Sequence, residues 1–391
     1  MGKAFKEFTH SQISSGILLI ICTISALIWA NSPYATGYFH INDIKLAVNI
    51  GNLHLEKNLQ HWVNDGLMSI FFLLVGLEIK REVLTGELSS IQKASLPIFA
   101  ALGGMLVPAL IYVACNWHDK AALSGWAIPM ATDIAFALGV VALLGKRISK
   151  TFFVLLAAIA IVDDIGAILV IAVFYSDSLI LNYLAYAVIC CVVLGLCNYF
   201  KVRKLVFYIL VGVLLWYCIL KSGIHATIAG VLLAFLIPHD TYKKEKKSPL
   251  ESFESILHLP VNYLIIPVFV LLNAGVAFTA ANLHEAYSHS ITLGIIFGLL
   301  AGKMIGIFSF SAAAVKLKLA ELPAKFHLRH IVPLSIIAGI GFTMAIFISE
   351  LAFPENPEFL MLAKMGILSA SLVAAIVGYL MMFFMSKKTA K

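Results

Sequence analysis

The sequence predicts an all-α polytopic membrane protein of twelve transmembrane helices with a small external β-hairpin. Three observations carry this. Of 391 residues, 61% are hydrophobic and 13% charged, with a mean hydropathy of +0.95, whereas soluble domains run near half apolar and a quarter charged. Apolar stretches of bilayer-crossing length, about 20 residues, recur along the whole chain. Lys and Arg collect in alternate loops. The formal net charge of +7 would point to nucleic acid only on a soluble domain with a basic face. Here the charges lie in short loops, so no nucleic-acid partner is expected.

Spans one to three cover 12–31, 59–84 and 95–116, and spans four to six cover 121–144, 151–176 and 180–200. Spans seven to nine cover 205–221, 223–237 and 254–280, and spans ten to twelve cover 291–314, 329–352 and 359–385. Lys3 and Lys6 before the first stretch resemble a secretory signal, but the stretch is long enough to span and more follow, so it reads as an uncleaved helix. Spans seven and eight are short and separated only by Lys221-Ser222-Gly223, so a single bent span, eleven in all, also fits. Loop charges choose between the counts, because short cytoplasmic loops accumulate Lys and Arg. With both termini inside, 22 of the 28 basic residues are cytoplasmic, Lys45, Lys57, Lys120 and Lys221 are external, and Lys303 and Lys364 fall within spans. Twelve spans in one transmembrane domain, 1–391, follow.

Residues 44–58 alternate in polarity around Gly51-Asn52, the pattern of a hairpin over roughly 43–58 whose edge can pair with a second copy. A plain loop fits them nearly as well. The polar loop 239–252, with Lys243-Lys244-Glu245-Lys246-Lys247, reads as a solvated cytoplasmic linker rather than a lipid-recognition segment. Cys22, Cys115, Cys190, Cys191, Cys197 and Cys218 show no metal-like spacing and read as small packing residues. Asp65 reads as interfacial, and Lys364, early in the twelfth span, as a side chain snorkelling outward.

Asp163 and Asp164 stand side by side in the middle of the fifth span, with no counter-charge within roughly ten residues. Carboxylates are among the most expensive groups to place there and are functional by default. Adjacent helix positions point about 100° apart, so the two are expected to do different jobs. Span four is interrupted at Pro129-Met130-Ala131-Thr132-Asp133, and span eleven at Ala338-Gly339-Ile340-Gly341. Interruptions at corresponding places in two three-span groups point to a site where inverted repeats cross. Pro and Gly also simply kink or pack membrane helices, and the residues alone leave both readings open. A broken helix exposes partly charged ends, each about half a charge. Asp133 can oppose the positive ends and Lys303 the negative ones. Lys303 lies about twelve residues into the tenth span, too deep for easy snorkelling, and should face a carboxylate. Glu78, Arg81 and Glu82 are spaced as an ordinary helix-surface ion-pair cluster, and His225 reads as a hydrogen-bonded packing residue.

At this point the residues resemble a family. Phe71-Phe72-Leu73-Leu74-Val75-Gly76-Leu77-Glu78, Ala131-Thr132-Asp133-Ile134-Ala135-Phe136-Ala137, Val162-Asp163-Asp164, Lys221-Ser222-Gly223-Ile224-His225-Ala226-Thr227 and Gly339-Ile340-Gly341-Phe342-Thr343-Met344 are similar to motifs of NhaA-type sodium/proton antiporters, and the likeness runs nearly end to end. Inverted repeats with broken helices four and eleven crossing at mid-membrane, here 95–176 and 291–385, are that family's own known architecture. The resemblance implies a twelve-helix protein of the bacterial inner membrane, often a homodimer in lipid, that expels Na+ or Li+ in exchange for entering H+. It implies that Asp163 and Asp164 bind the ion and carry protons, that Thr132 and Asp133 form the broken-helix site, and that Lys303 is the buried lysine. By the same likeness Glu78, Arg81, Glu82 and Glu254 belong to a pH-responsive cytoplasmic mouth, and His225 is an external-side histidine. One departure stands out: Glu254 is followed by Ser255, where the family's pattern has a histidine, so the pH setpoint transfers less safely than the reaction.

The residues also supply a mechanism. A carboxylate withdrawn from water holds its charge less readily, so Na+ and H+ can compete for it. Asp164, Asp163 and the Thr132 hydroxyl offer the oxygens that suit a small hard cation. Alternating access then turns competition into exchange, with no enzyme chemistry, cofactor or ATP site. Two rival classes need other features. An intramembrane aspartyl protease usually carries Gly-x-Gly-Asp, which is absent. A sodium-coupled organic-solute symporter needs a larger polar cavity than the small apolar residues of spans four and eleven suggest.

Overall fold

Hydrocarbon leaves backbone polar groups no partner but each other, and the chain answers with helices almost throughout. The computed structural model describes residues 3–50, 53–176, 179–240, 247–278, 280–323 and 326–389. The basic run from Lys243 to Lys246 and the Gly51-Asn52 turn lie outside them. Among the described residues, nine helices are long and apolar enough to cross a membrane, and a tenth candidate is the pair Leu328–Ile337 and Phe342–Ala352, bent by 55°. Two more predicted segments are helical without meeting that test. Met68–Thr85 ends in a charged turn, and Ile228–Leu236 has only nine residues. The ninth helix starts at Pro249, five residues before its predicted start, because Ser248 and Glu251 form a reciprocal capping box that fixes an N-terminus.

The chain forms two compact units, Met1–Ile24, Glu87–Ala167 and Val276–Lys391 in the first, Ser25–Gly86 and Ile168–Gly275 in the second. The three-span groups 95–176 and 291–385 fall in the first unit apart from 168–176.

In the first unit, Ile91–Asn116 packs along Ser290–Lys316. The two backbones touch at Gly103 and Gly306, where a Cβ on either would overlap the other's carbonyl group. A short π-helical stretch, Gly298–Gly302, immediately precedes Lys303. Such bulges re-aim side chains and recur at functional sites. The fourth predicted span is Ala122–Met130 in 3₁₀ form, an extended break at Ala131 to Asp133, then helix Ile134–Ala142.

In the second unit, Leu181–Tyr199, Leu205–Ser222 and Ile228–Leu236 pack with Met68–Thr85 around Leu73, Leu77, Leu194, Leu215 and Leu233. Cys190, Cys191, Cys197 and Cys218 pack against that core, as small apolar residues do. Leu205–Ser222 ends on Gly223 in the left-handed region, φ +88°, a cap that favours glycine. Residues 223–227 are not helical, so spans seven and eight are separate helices. Val188, Ile189, Val192 and Leu196 stay exposed, a face suited to lipid. Lys45–Ile50 and Leu53–Asn58 pair antiparallel, Lys45 opposite Asn58 and Ile50 opposite Leu53, giving the expected hairpin. Trp62 Nε1 donates to Leu46 O at 3.0 Å and tethers it.

Two expectations need correction. Lys364 does not snorkel: it is buried and pairs with Glu350 at 2.6 Å. Asp65 is not simply interfacial: it is buried and pairs with Lys57 at 2.7 Å. In both cases a partner on a neighbouring element neutralises a charge that would otherwise seek water.

The glycine crossing gives a test. Gly306→Val should cost about 1–3 kcal/mol through overpacking and lower the melting temperature of the purified protein. Gly195→Ala, where a Cβ meets only Leu236 at 4.0 Å, should leave it unchanged or raise it.

Candidate functional site

The site in the first unit is built where two interrupted helices meet. Asp133 ends the first break and caps the helix that follows, its Oδ1 accepting from Phe136 N at 2.8 Å. Its Oδ2 accepts from Thr343 N at 3.0 Å and from Thr343 Oγ1 at 2.5 Å, at the start of Phe342–Ala352. One carboxylate therefore faces two helix N-termini. At about half a positive charge each, the two together offset one carboxylate without any cationic side chain.

The remaining ends of the breaks are met by neutral groups. Asp133 N donates to Ile340 O at 2.7 Å, and the Thr132 hydroxyl lies 2.8 Å from Ala338 O. Lys303 was expected to face a carboxylate and able to oppose these carbonyl ends; its bonds run to Asp163 Oδ2 at 2.6 Å and Thr132 Oγ1 at 2.9 Å, because a full carboxylate charge outweighs a half-charge helix end.

Asp163 and Lys303 form a buried ion pair, with side chains 0% exposed on both partners. Thr132 Oγ1 is also 2.8 Å from Asp163 Oδ2. Its single proton thus has two acceptors in reach, a carboxylate oxygen and a backbone carbonyl. Asp163 Oδ1 accepts no hydrogen bond among the described residues. Asp164 is 1% exposed and, as the next residue of the helix, turns about 100° from Asp163. The sequence-predicted residues Thr132, Asp133, Asp163, Asp164 and Lys303 are all buried; Thr132, Asp163 and Lys303 are hydrogen-bonded to one another, and Asp133 bonds the second break through Thr343 and Ile340. Thr343 is the member that reading for charge missed. A hydroxyl directly after a glycine-rich interruption was the available signal.

The other predicted residues lie in the second unit. Arg81 Nε contacts both carboxylate oxygens of Glu254, at 3.0 and 3.1 Å, and Arg81 Nη1 lies 2.7 Å from Glu82 Oε1. Glu78 sits one turn before Arg81 on the same helix. Arg81 and Glu254, with Lys247, Glu251, Ser255 and His258, line a cleft of about 500 Å³. Lys80 Nζ donates to Phe235 O at 2.7 Å and Ile237 O at 2.5 Å, a cation at the C-terminal end of Ile228–Leu236 as helix polarity favours. His225 places Nδ1 2.7 Å from Thr227 Oγ1 and Nε2 3.6 Å from Asp65 Oδ1. It is hydrogen-bonded, as read, and it also faces a carboxylate.

The family described as Na+/H+ antiporter 1 matches residues 6–382. A protein of Shewanella frigidimarina named Na(+)/H(+) antiporter NhaA is 48% identical over 380 residues, covering 97% of this chain and 96% of its own. One of the same name from Escherichia coli is 47% identical over 379 residues, 96% of this chain and 97% of its own. Na(+)/H(+) antiporter NhaA 1 of Pseudomonas putida is 48% identical over 387 residues, 99% and 97% respectively. With a match along nearly its whole length, and with the motifs at Thr132-Asp133 and Asp163-Asp164 all buried, the chain belongs to the Na+/H+ antiporter 1 family.

Proposed function

We propose that this protein exchanges cytoplasmic Na+, or Li+, for external H+ across the bacterial inner membrane, driven electrogenically and regulated by pH. The observation that carries the reading is the Asp163 and Lys303 pair, a wholly buried carboxylate held by a lysine beside the hydroxyl of a broken helix. Pairing lets both groups stay charged in hydrocarbon, and removing either charge frees the other. Proton binding to Asp163 breaks the pair. Asp164, turned away from Lys303, faces the ion cavity and carries Na+ or H+, with Asp163 and Thr132 as further oxygen ligands. Asp133 holds the two breaks together through the change of access. Glu78, Arg81, Glu82 and Glu254 form the cytoplasmic, pH-responsive mouth, and His225 answers pH on the external side.

In this reading the chain spans twelve times with both ends cytoplasmic, and 95–176 and 291–385 are inverted repeats about the crossed breaks. The hairpin is external, and its exposed edge joins two copies in the lipid. The names of the relatives support the transported ions. No observation favours a protease or an organic-solute symporter.

In proteoliposomes, Na+ without any added solute should collapse an imposed pH gradient, and a requirement for an organic solute would reject antiport. Asp164→Asn should weaken Na+ affinity by about tenfold or more, as loss of a charged contact does, and more than Asp163→Asn does. Equal losses would end the division of labour. Lys303→Arg should still move net charge, because an arginine holds the pair without releasing its proton; loss of electrogenicity in a folded variant would make Lys303 a proton carrier instead.

A further inference from the structure

We propose that Glu350, held by Lys364, is a second ion-path carboxylate of the first unit and sets the affinity for cations on the external side. The inference rests on the exchange reading and on cytoplasmic termini, which put the end of Phe342–Ala352 and the start of Pro357–Thr389 externally.

Glu350 Oε1 lies 2.6 Å from Lys364 Nζ, and the two side chains are 11% and 9% exposed. Helix polarity does not account for the pair. Glu350 is in the last turn of Phe342–Ala352, where the partly negative helix end disfavours a carboxylate. Stability does not account for it either, since well-packed apolar residues commonly replace a buried ion pair with no loss.

Position supplies the reason. Thr343, which bonds Asp133 through N and Oγ1, is seven residues before Glu350. Seven residues at about 100° each return within about 20° of the same face, about 10 Å along the helix. The face that reaches Asp133 at the break therefore carries a carboxylate at its outer end. The arrangement repeats that of the deep site, where Lys303 also holds a carboxylate at 2.6 Å. An ammonium, Na+ and a proton each neutralise the same carboxylate charge, so Na+ or a proton can take the ammonium's place on Glu350 as the freed Lys364 swings to the external water beside it.

The test uses the full-length protein in membrane vesicles of known orientation, with the apparent KM for Na+ read from each side. Glu350→Gln should raise the external KM by about three- to tenfold, and Lys364→Met, which leaves Glu350 uncompensated, should lower it by a similar factor. The cytoplasmic KM should stay within about twofold in both, as the deep site keeps all its charged contacts. If either single variant fails to fold, the neutral double variant Glu350→Gln with Lys364→Met decides, because it buries no lone charge. A raised external KM with unchanged melting temperature supports the proposal. An unchanged KM, or equal shifts on both sides, makes the pair structural and overturns it. Absence of exchange in the unmodified protein overturns the antiport reading itself, and this inference with it.

Discussion

A charge withdrawn into hydrocarbon must be neutralised where it stands, and the first unit is organised around that constraint. Asp163 is answered by a full charge, Lys303, delivered by the π-helical stretch Gly298–Gly302 on a helix that crosses its neighbour at Gly103 and Gly306. Asp133 is answered by two half-charges, the N-termini of Ile134–Ala142 and Phe342–Ala352. The difference matters. A side-chain cation can move or lose its partner, whereas a helix end is fixed by a row of backbone bonds. In the proposed exchange, one carboxylate is therefore exchangeable and the other is a fastening.

The broken helices follow from the same constraint. Interrupting a helix in hydrocarbon frees backbone groups that have no water to turn to. Two interruptions placed together serve each other: Asp133 N meets Ile340 O, and the Thr132 hydroxyl reaches Ala338 O. Each break supplies partners to the other's freed backbone groups, so their proximity serves the fold as much as any ion site. The small residues around them allow the approach.

Much of this was legible in the sequence, for reasons that can be stated. Apolar length marked the spans, and a lone lysine twelve residues into one required a buried carboxylate. Glycine and proline marked both breaks. What was not legible is which charges near the ends of neighbouring elements face one another. Lys364 and Glu350 lie on consecutive helices, yet their facing sides depend on the turn at 353–356 that joins them, which composition does not encode. Lys57 and Asp65 meet because the strand Leu53–Asn58 passes, through the helical turn Leu59–His61, into the π-helical Trp62–Leu67. The start of the helix at Pro249 was missed for another reason: hydropathy ignores caps, and the Ser248 and Glu251 box lies in a polar segment.

The Thr132 hydroxyl has one proton and two acceptors at equal distance, Asp163 Oδ2 and Ala338 O. It works as a rotor with two stops. While the carboxylate is charged it outbids the carbonyl, since a charged acceptor makes the stronger bond; once the carboxylate is neutral, the preference falls away and the carbonyl can hold the proton. In the proposed exchange, proton binding to Asp163 on one helix is thereby passed to another as adhesion, through the turn of a single O–H bond.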